Sequence, residues 1–451
     1  MSLEAILSRL DSDQNDARNR LLEFLAIPSI STDPDYKAEV RRAAEWLRDA
    51  LIDLGADAEL RVTPGHPMVT GRTNGEGRPL LFYGHYDVQP VDPLELWHRD
   101  PFDPAIEDDV IRGRGAADDK GQLMTFIEAL RAWKSERGTL PNITFLFEGE
   151  EESGSPSLVP FLKEHKSELT RDLALICDTG LYAKDRPGIV TQLRGLLGEE
   201  IVVRGASKDL HSGSFGGIAQ NPIRVLARIV ASLHDATGRV TIPGFYEGVP
   251  ELTDELRAQW DALTFDGPGF LSGVGLSAPA GESDRTALEH IWSRPTAEVN
   301  GIRGGYAGKG FKTVLPAEAA AKISFRLVGN QDPLAIRDSF RAMVREMIPE
   351  DCTVEFHDHG AGPASHMDTS DPAFEAARQA LGQEWPHEAA YIGAGGSIPV
   401  AGYFQSILGM DSMLIGFGRD NDQIHSPNEK YDLKSFHLGA RSWARILDAI
   451  S

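Results

Sequence analysis

The chain has 451 residues, 41% hydrophobic and 25% charged, the proportions of a globular protein long enough for two cores. Lys and Arg total 45 against 68 Asp and Glu, and the formal charge of −23 argues against a nucleic-acid surface, which needs basic stripes. The only cysteines, Cys177 and Cys352, exclude a disulfide framework and fit a reducing compartment.

The start, MSLEAILSRLDSDQND, turns acidic before a signal-type apolar segment can form. No apolar run approaches the ~20 residues that a membrane span requires. A cytoplasmic protein without nucleic-acid or membrane partners is the expectation.

Residues 38–55 predict an amphipathic helix, because Val40, Ala44, Leu47, Leu51 and Leu54 recur at three- and four-residue steps and Gly55 suits the C-terminal cap. Short apolar runs follow at PLLFYG (79–84), ITFLFEG (143–149) and LALICD (173–178). Their continuous apolar character predicts strands covered on both faces. Helical patterns at 121–134 and 157–167 alternate with them, which predicts a doubly wound α/β layer.

The texture changes near residue 190. LLGEEIVVRG reads as a strand, and Asn221-Pro222 opens a helix whose apolar face is Ile223, Leu226, Ile229, Val230 and Leu233, with Gly238 as its stop. A polar Gly/Pro-rich stretch (239–290) precedes further strands at 319–328 and 352–356. After HDHGAGPASH (357–366) the first pattern resumes through SMLIGFG (412–418) to a helix near 434–449. The predicted fold is a doubly wound mixed-sheet catalytic domain (1–189 and 365–451) interrupted by an inserted α+β lid or dimerisation domain (190–364).

Potential metal ligands fall at strand ends. His85 and Asp87 follow LLFYG, Asp118 sits in GRGAADDKG just before a helix, and Glu151 and Glu152 follow ITFLFEG. Asp178 ends LALICD, and His425 lies in QIHSPNE after SMLIGFG. In an open α/β sheet, ligands bind outside the carboxyl ends of the strands, so these groups can converge. Singly each has an ordinary reading: a core histidine, a helix cap, a turn aspartate or a solvated glutamate run. Together they point to a metal hydrolase.

The ordered set HYDVQP, GRGAADDKG, FEGEEESGS, HSGSFGG, GIRGGYAGKGFKTVLP, FRLV, GGSIP and HSPNE resembles the di-zinc aminoacylase and carnosinase-like metallopeptidases. The resemblance runs from about residue 20 to the C-terminus and is strongest to the cytosolic nonspecific dipeptidase branch. It implies two divalent metal ions, zinc first, with manganese or cobalt as alternatives. His85 and Asp178 would hold one ion, Glu152 and His425 the other, and Asp118 would bridge them. Imidazole and carboxylate donors suit zinc.

By the same resemblance, Asp87 would orient His85 and Glu151 would be the general base. His211 would donate to the developing oxyanion, accompanied by Thr313, across a homodimer formed through the inserted domain. Arg326 would pair with a substrate carboxylate, with Gly396 and Ser397 forming an anion-binding turn. A cis peptide is implied between Asp118 and Asp119.

The implied activity is hydrolysis of the amide bond of a dipeptide with a free C-terminal carboxylate, by a water held between the two ions. One departure bears on the substrate. Relatives often carry Arg-Glu before Gly-Gly-Ser-Ile-Pro, whereas this chain has Gly393-Ala394. An N-acyl or N-carbamoyl amino acid therefore stands as the alternative substrate, with an inactive peptide-binding module as a remote one.

Overall fold

Leu80–His85, Ile143–Glu148, Leu173–Ile176 and Ser412–Ile415 are strands buried at every residue in the computed structural model, which describes residues 2–396 and 398–451. Burial at consecutive residues means that both faces are covered, as their unbroken apolar composition requires. The four run parallel in the order 143–148, 80–85, 173–176, 412–415. Met68–Arg72 and Asp57–Arg61 extend one side antiparallel, and Gly188–Leu193 pairs antiparallel on the other, so the sheet is mixed. Parallel pairing puts the carboxyl ends of all four central strands on one edge.

The helix Lys37–Leu54 buries the predicted face and ends on Gly55 at φ +85°, a left-handed cap without Cβ cost. The helix Lys120–Arg137 is buried on nearly every side through Trp133, so its sequence lacks a clean polar face. Phe126 stacks on Phe82, with centroids 3.6 Å apart. Trp443, on the C-terminal helix Leu433–Ile450, sets its edge against Phe82, Phe126 and Phe417.

By backbone contacts the chain forms two compact units. One comprises Met1–Thr191, Met367–Ile392 and Tyr403–Ser451; the other comprises Gln192–His366 and Gly393–Gly402. The excursion Gly393–Gly402 carries no change in hydrophobic texture that would mark it in the sequence. The second unit is a four-stranded antiparallel sheet in the order Thr296–Gly304, Glu318–Leu327, Gly195–Arg204, Thr353–Gly362. Along Glu318–Leu327, Ile323, Phe325 and Leu327 enter the core, where Val225, Ile229 and Phe340 of two helices also pack. Lys322, Ser324 and Arg326 alternate onto the opposite, more open face.

Three local expectations are corrected. The helix opened by Asn221-Pro222 ends at Ala231, well before Gly238. The chain instead folds back, His234 bridging Val240, while the Asp235 carboxylate accepts from the amides of Thr237 and Arg239. Gly238, at φ +81°, serves that turn. The 157–167 pattern splits into Leu158–Glu164 and Lys166–Leu169. The polar 239–290 stretch contains the short helices Asp254–Asp261 and Gly267–Ser272 and the start of a third, Ala287–Trp292, each capped by a side chain (Thr253, Asp266, Thr286) rather than signalled by apolar periodicity.

Trp443→Ala would open a cavity beneath three rings. It is expected to cost roughly 3–5 kcal/mol, read as a lower denaturant midpoint; an unchanged midpoint would mean the ring stack is not what locks the C-terminal helix.

Candidate metal centre

The edge where the parallel strands end gathers the predicted ligands of the first unit. His85, Asp118 and Asp178 form one triad and Asp118, Glu152 and His425 another, the donor atoms of each lying within 4.8 Å of one another. Asp118 belongs to both. Its Oδ1 lies 3.1 Å from His85 Nε2 and its Oδ2 lies 2.9 Å from His425 Nε2. His425 Nε2 is also 3.3 Å from Glu152 Oε2, and His85 Nε2 is 3.9 Å from Asp178 Oδ2.

Local structure explains how each group arrives. His85 closes its strand, and its Nδ1 lies 3.1 Å from the backbone carbonyl of Asp87. That carbonyl can only accept, so the neutral ring carries its proton on Nδ1 and presents the Nε2 lone pair. The Asp87 carboxylate, 3.4 Å from the same Nδ1, accepts the backbone amides of Glu151 and Glu152 at 3.3 and 3.1 Å. Asp87 therefore ties His85 to the Glu151-Glu152 segment. Asp118-Asp119 is a cis peptide. Gly121 follows because a Cβ there would stand 1.8 Å from the Ala116 carbonyl oxygen.

Two positioning residues went unassigned in the sequence. Glu429, inside the HSPNE motif, is fully buried and accepts from Arg114 Nη1 (2.8 Å) and the amides of Gly115, Ala117 and Asp118 (2.9, 2.8 and 3.1 Å). It ties the loop of His425 to the loop of Asp118. Gln89, in HYDVQP, donates to Glu152 Oε2 at 2.7 Å. The motifs contained both residues, but only the fold shows what they touch.

The electrostatics fit cations. Burial, with Glu152, Asp87 and Asp118 nearby, pushes Glu151 up to about 7, although His85 opposes the shift. Burial and the Asp118 charge raise Asp178, while burial and the Asp178 charge raise Asp119. His425 is raised to about 10 by hydrogen bonds to Asp118 and Glu152. Glu152 Oε1 and Asp119 Oδ1 are buried without a hydrogen-bond partner. Such an acid-rich pocket, with imidazole lone pairs and an orphaned carboxylate oxygen, fits divalent metal ions.

The second unit holds the remaining predicted residues. His211 and Thr313 adjoin, with His211 Nε2 3.5 Å from Thr313 Oγ1, where Leu210–His211 pairs with Val314–Leu315. His211 Nδ1 accepts from the Gly213 amide at 3.0 Å, so the neutral ring carries its proton on Nε2. Arg326 stands on the open face of the sheet, opposite Leu196 and Thr296 in the two neighbouring strands. Gly396 is exposed in the turn after Ala390–Ala394, and Ser397 lies outside the described residues. Gly393 has a steric reason: a Cβ there would meet Trp292 Cβ at 2.4 Å.

Residues 81–449 match peptidase family M20/M25/M40. The chain is 32% identical over 452 residues to a Cys-Gly metallodipeptidase of Candida albicans, covering 94% of this chain and 92% of that one. An M20-family metallo-carboxypeptidase from Sulfolobus solfataricus superimposes with a TM-score of 0.82 at 32% identity, covering 96% of this chain and 99% of the other. Human carnosine dipeptidase 1 superimposes with a TM-score of 0.80 at 27% identity, covering 100% and 99% respectively.

Glu429→Ala would release three amides and an arginine from one anchor. Metal retention on dialysis against a chelator is expected to weaken roughly 10–100-fold; retention at the wild-type level would show that the Asp118 loop holds its shape unaided.

The metal-free protein should also show a signed pH dependence. Glu151 rises from 4.5 to about 7 on folding and His425 from 6.5 to about 10. A group raised on folding stabilises below its unfolded value and loses that contribution as pH climbs through its folded value. The melting temperature of stripped protein should therefore fall from about pH 5 to about pH 8, with zinc restoring it at the upper end. A stripped protein that gains stability across that window would contradict the site's electrostatics.

Proposed function

The chain belongs to peptidase family M20/M25/M40, and we propose that it is a dinuclear metallopeptidase that hydrolyses dipeptides bearing a free C-terminal carboxylate. The observation that carries this reading is Asp118, whose two oxygens face two imidazoles in two overlapping ligand triads. His85 and Asp178 would hold one cation and Glu152 and His425 the other, with Asp118 shared. Zinc is the cation that these nitrogen and carboxylate donors favour. Bound there, the ions supply Lewis acidity and lower the pKa of a nearby water toward neutrality.

The chain's own residues do the rest. Glu151, held near neutrality by its surroundings, takes a proton from the attacking water and delivers it to the leaving nitrogen. That task needs a carboxyl able to change protonation at working pH. His211 presents Nε2–H as a donor to the oxyanion, beside the Thr313 hydroxyl. Arg326, with the Gly396 turn, takes the substrate carboxylate through its planar fork. The general base, oxyanion donor and carboxylate partner together select an amide next to a free carboxylate.

Three further features complete the proposal. A homodimer through the inserted unit is supported by its edge strand Thr296–Gly304, which leaves Ile302 63% exposed. A cytoplasmic location is supported by two buried free thiols; no helix among the described residues is long and apolar enough to cross a membrane. A second reading, an N-acyl or N-carbamoyl amino acid hydrolase, draws on Gly393-Ala394, where Trp292 occupies the space a side chain at 393 would need.

The test is turnover of a dipeptide panel beside matched N-acetyl and N-carbamoyl amino acids, using stripped enzyme reloaded with zinc or manganese. Dipeptide cleavage that requires metal and falls about 10²–10⁴-fold in kcat in Glu151→Gln, at unchanged metal content, is the expected result. Turnover of the acyl or carbamoyl compounds alone would move the substrate to the second reading. No turnover of any compound by metal-loaded enzyme would sink both.

A further inference from the structure

The inserted unit contains a cavity of about 660 Å³ that the chemistry above leaves unused. Phe270, Leu271 and Ile291 give the lining an apolar wall, and Thr296, Glu298 and His290 are among its polar members. The volume falls in the range of pockets that enclose small ligands.

Two connections bring the cavity to Arg326. Thr296 stands directly opposite Arg326 in the antiparallel register, a pairing that puts their Cβ atoms about 5 Å apart on one face of the sheet. Glu298, two residues further along the strand, shares that face. From another direction, Arg194 donates to the His290 carbonyl at 3.3 Å and to the Gly395 carbonyl at 3.1 Å. One guanidinium thus fastens the cavity wall to the turn that includes Gly396.

We propose that this cavity receives the side chain of the substrate residue that bears the free carboxylate, and that it favours large apolar or aromatic side chains there over glycine. The inference rests on assigning that carboxylate to Arg326. A carboxylate and a side chain leave the same Cα, so a carboxylate bound by Arg326 leaves its side chain on the face of the sheet that carries Thr296 and Glu298, two residues of the cavity lining. The interior suits an apolar guest because its buried charges already have partners. Arg294 and Glu282 are paired through both nitrogens of a fork, and Glu282 also receives Arg239 at 2.9 Å. An aromatic guest would cover Phe270, which is 59% exposed, and pack on Leu271 and Ile291.

The experiment is kcat/KM of the full-length, metal-loaded protein on Ala-Phe and Ala-Gly. Wild type is expected to favour Ala-Phe by about tenfold or more. Ala287→Trp places an indole in the cavity and should shrink that ratio about tenfold. Phe270→Ala removes part of the wall from an exposed position, so it should shrink the ratio while the melting temperature holds. Equal or better turnover of Ala-Gly by wild type, or a ratio that neither variant moves, overturns the inference while leaving dipeptide hydrolysis intact. Cleavage of neither dipeptide overturns the functional reading and this inference together.

Discussion

A cluster of buried acids cannot stay ionised without positive charge, and the first unit is organised around that constraint. Asp118, Asp119, Glu151, Glu152 and Asp178 crowd around two imidazoles, and burial together with mutual repulsion raises Asp119, Glu151 and Asp178. Asp118 is held low, because without metal both His425 and His85 are raised and, as charged rings, donate to it strongly enough to outweigh its burial. Bound cations would remove the repulsion by supplying the charge that the protein lacks there. The same charge deficit that strains the metal-free state is what would make the site bind metal tightly.

Holding such groups together requires backbone supports that are not themselves ligands. Asp87 steadies the His85 ring and the first amides of the Glu151-Glu152 segment. Glu429 gathers Arg114 and three amides of the loop ending at Asp118. His425, at φ +60°, sits in a left-handed conformation that a histidine adopts only when its surroundings demand it. Its contacts with Asp118 and Glu152, and the Glu429 anchor four residues on, supply that demand. The geometry of the cluster depends on two carboxylates that work with backbone amides, an arginine and the His85 ring.

The inserted unit follows a different logic. One face of its sheet packs on the core, while polar side chains such as Ser324 and Arg326 alternate onto the other along one strand. That alternation lets a single strand build a core on one face and leave polar side chains such as Arg326 on the other. In the central strands of the first unit every position is buried, and functional residues are confined to strand ends and loops.

Much of this was legible in the sequence because it is local. Apolar runs named the central strands, the three- and four-residue steps named the helix at 37–54, and the position of His85, Glu152, Asp178 and His425 at strand ends or in the loops that follow them pointed to their convergence. The end of the helix at Ala231 and the three short helices of 254–292 escaped, since side-chain caps and a hairpin turn decided them rather than apolar periodicity. Residue types and their placement along the chain determined which groups could serve as metal ligands, and the resemblance to the metallopeptidases supplied the expected base and carboxylate partner. Only the tertiary structure decided that Asp118 turns one oxygen to each imidazole, that Glu429 grips its loop, and that Gly393–Gly402 joins the inserted unit. Those facts are distances between atoms far apart in sequence, and no local pattern carries a distance.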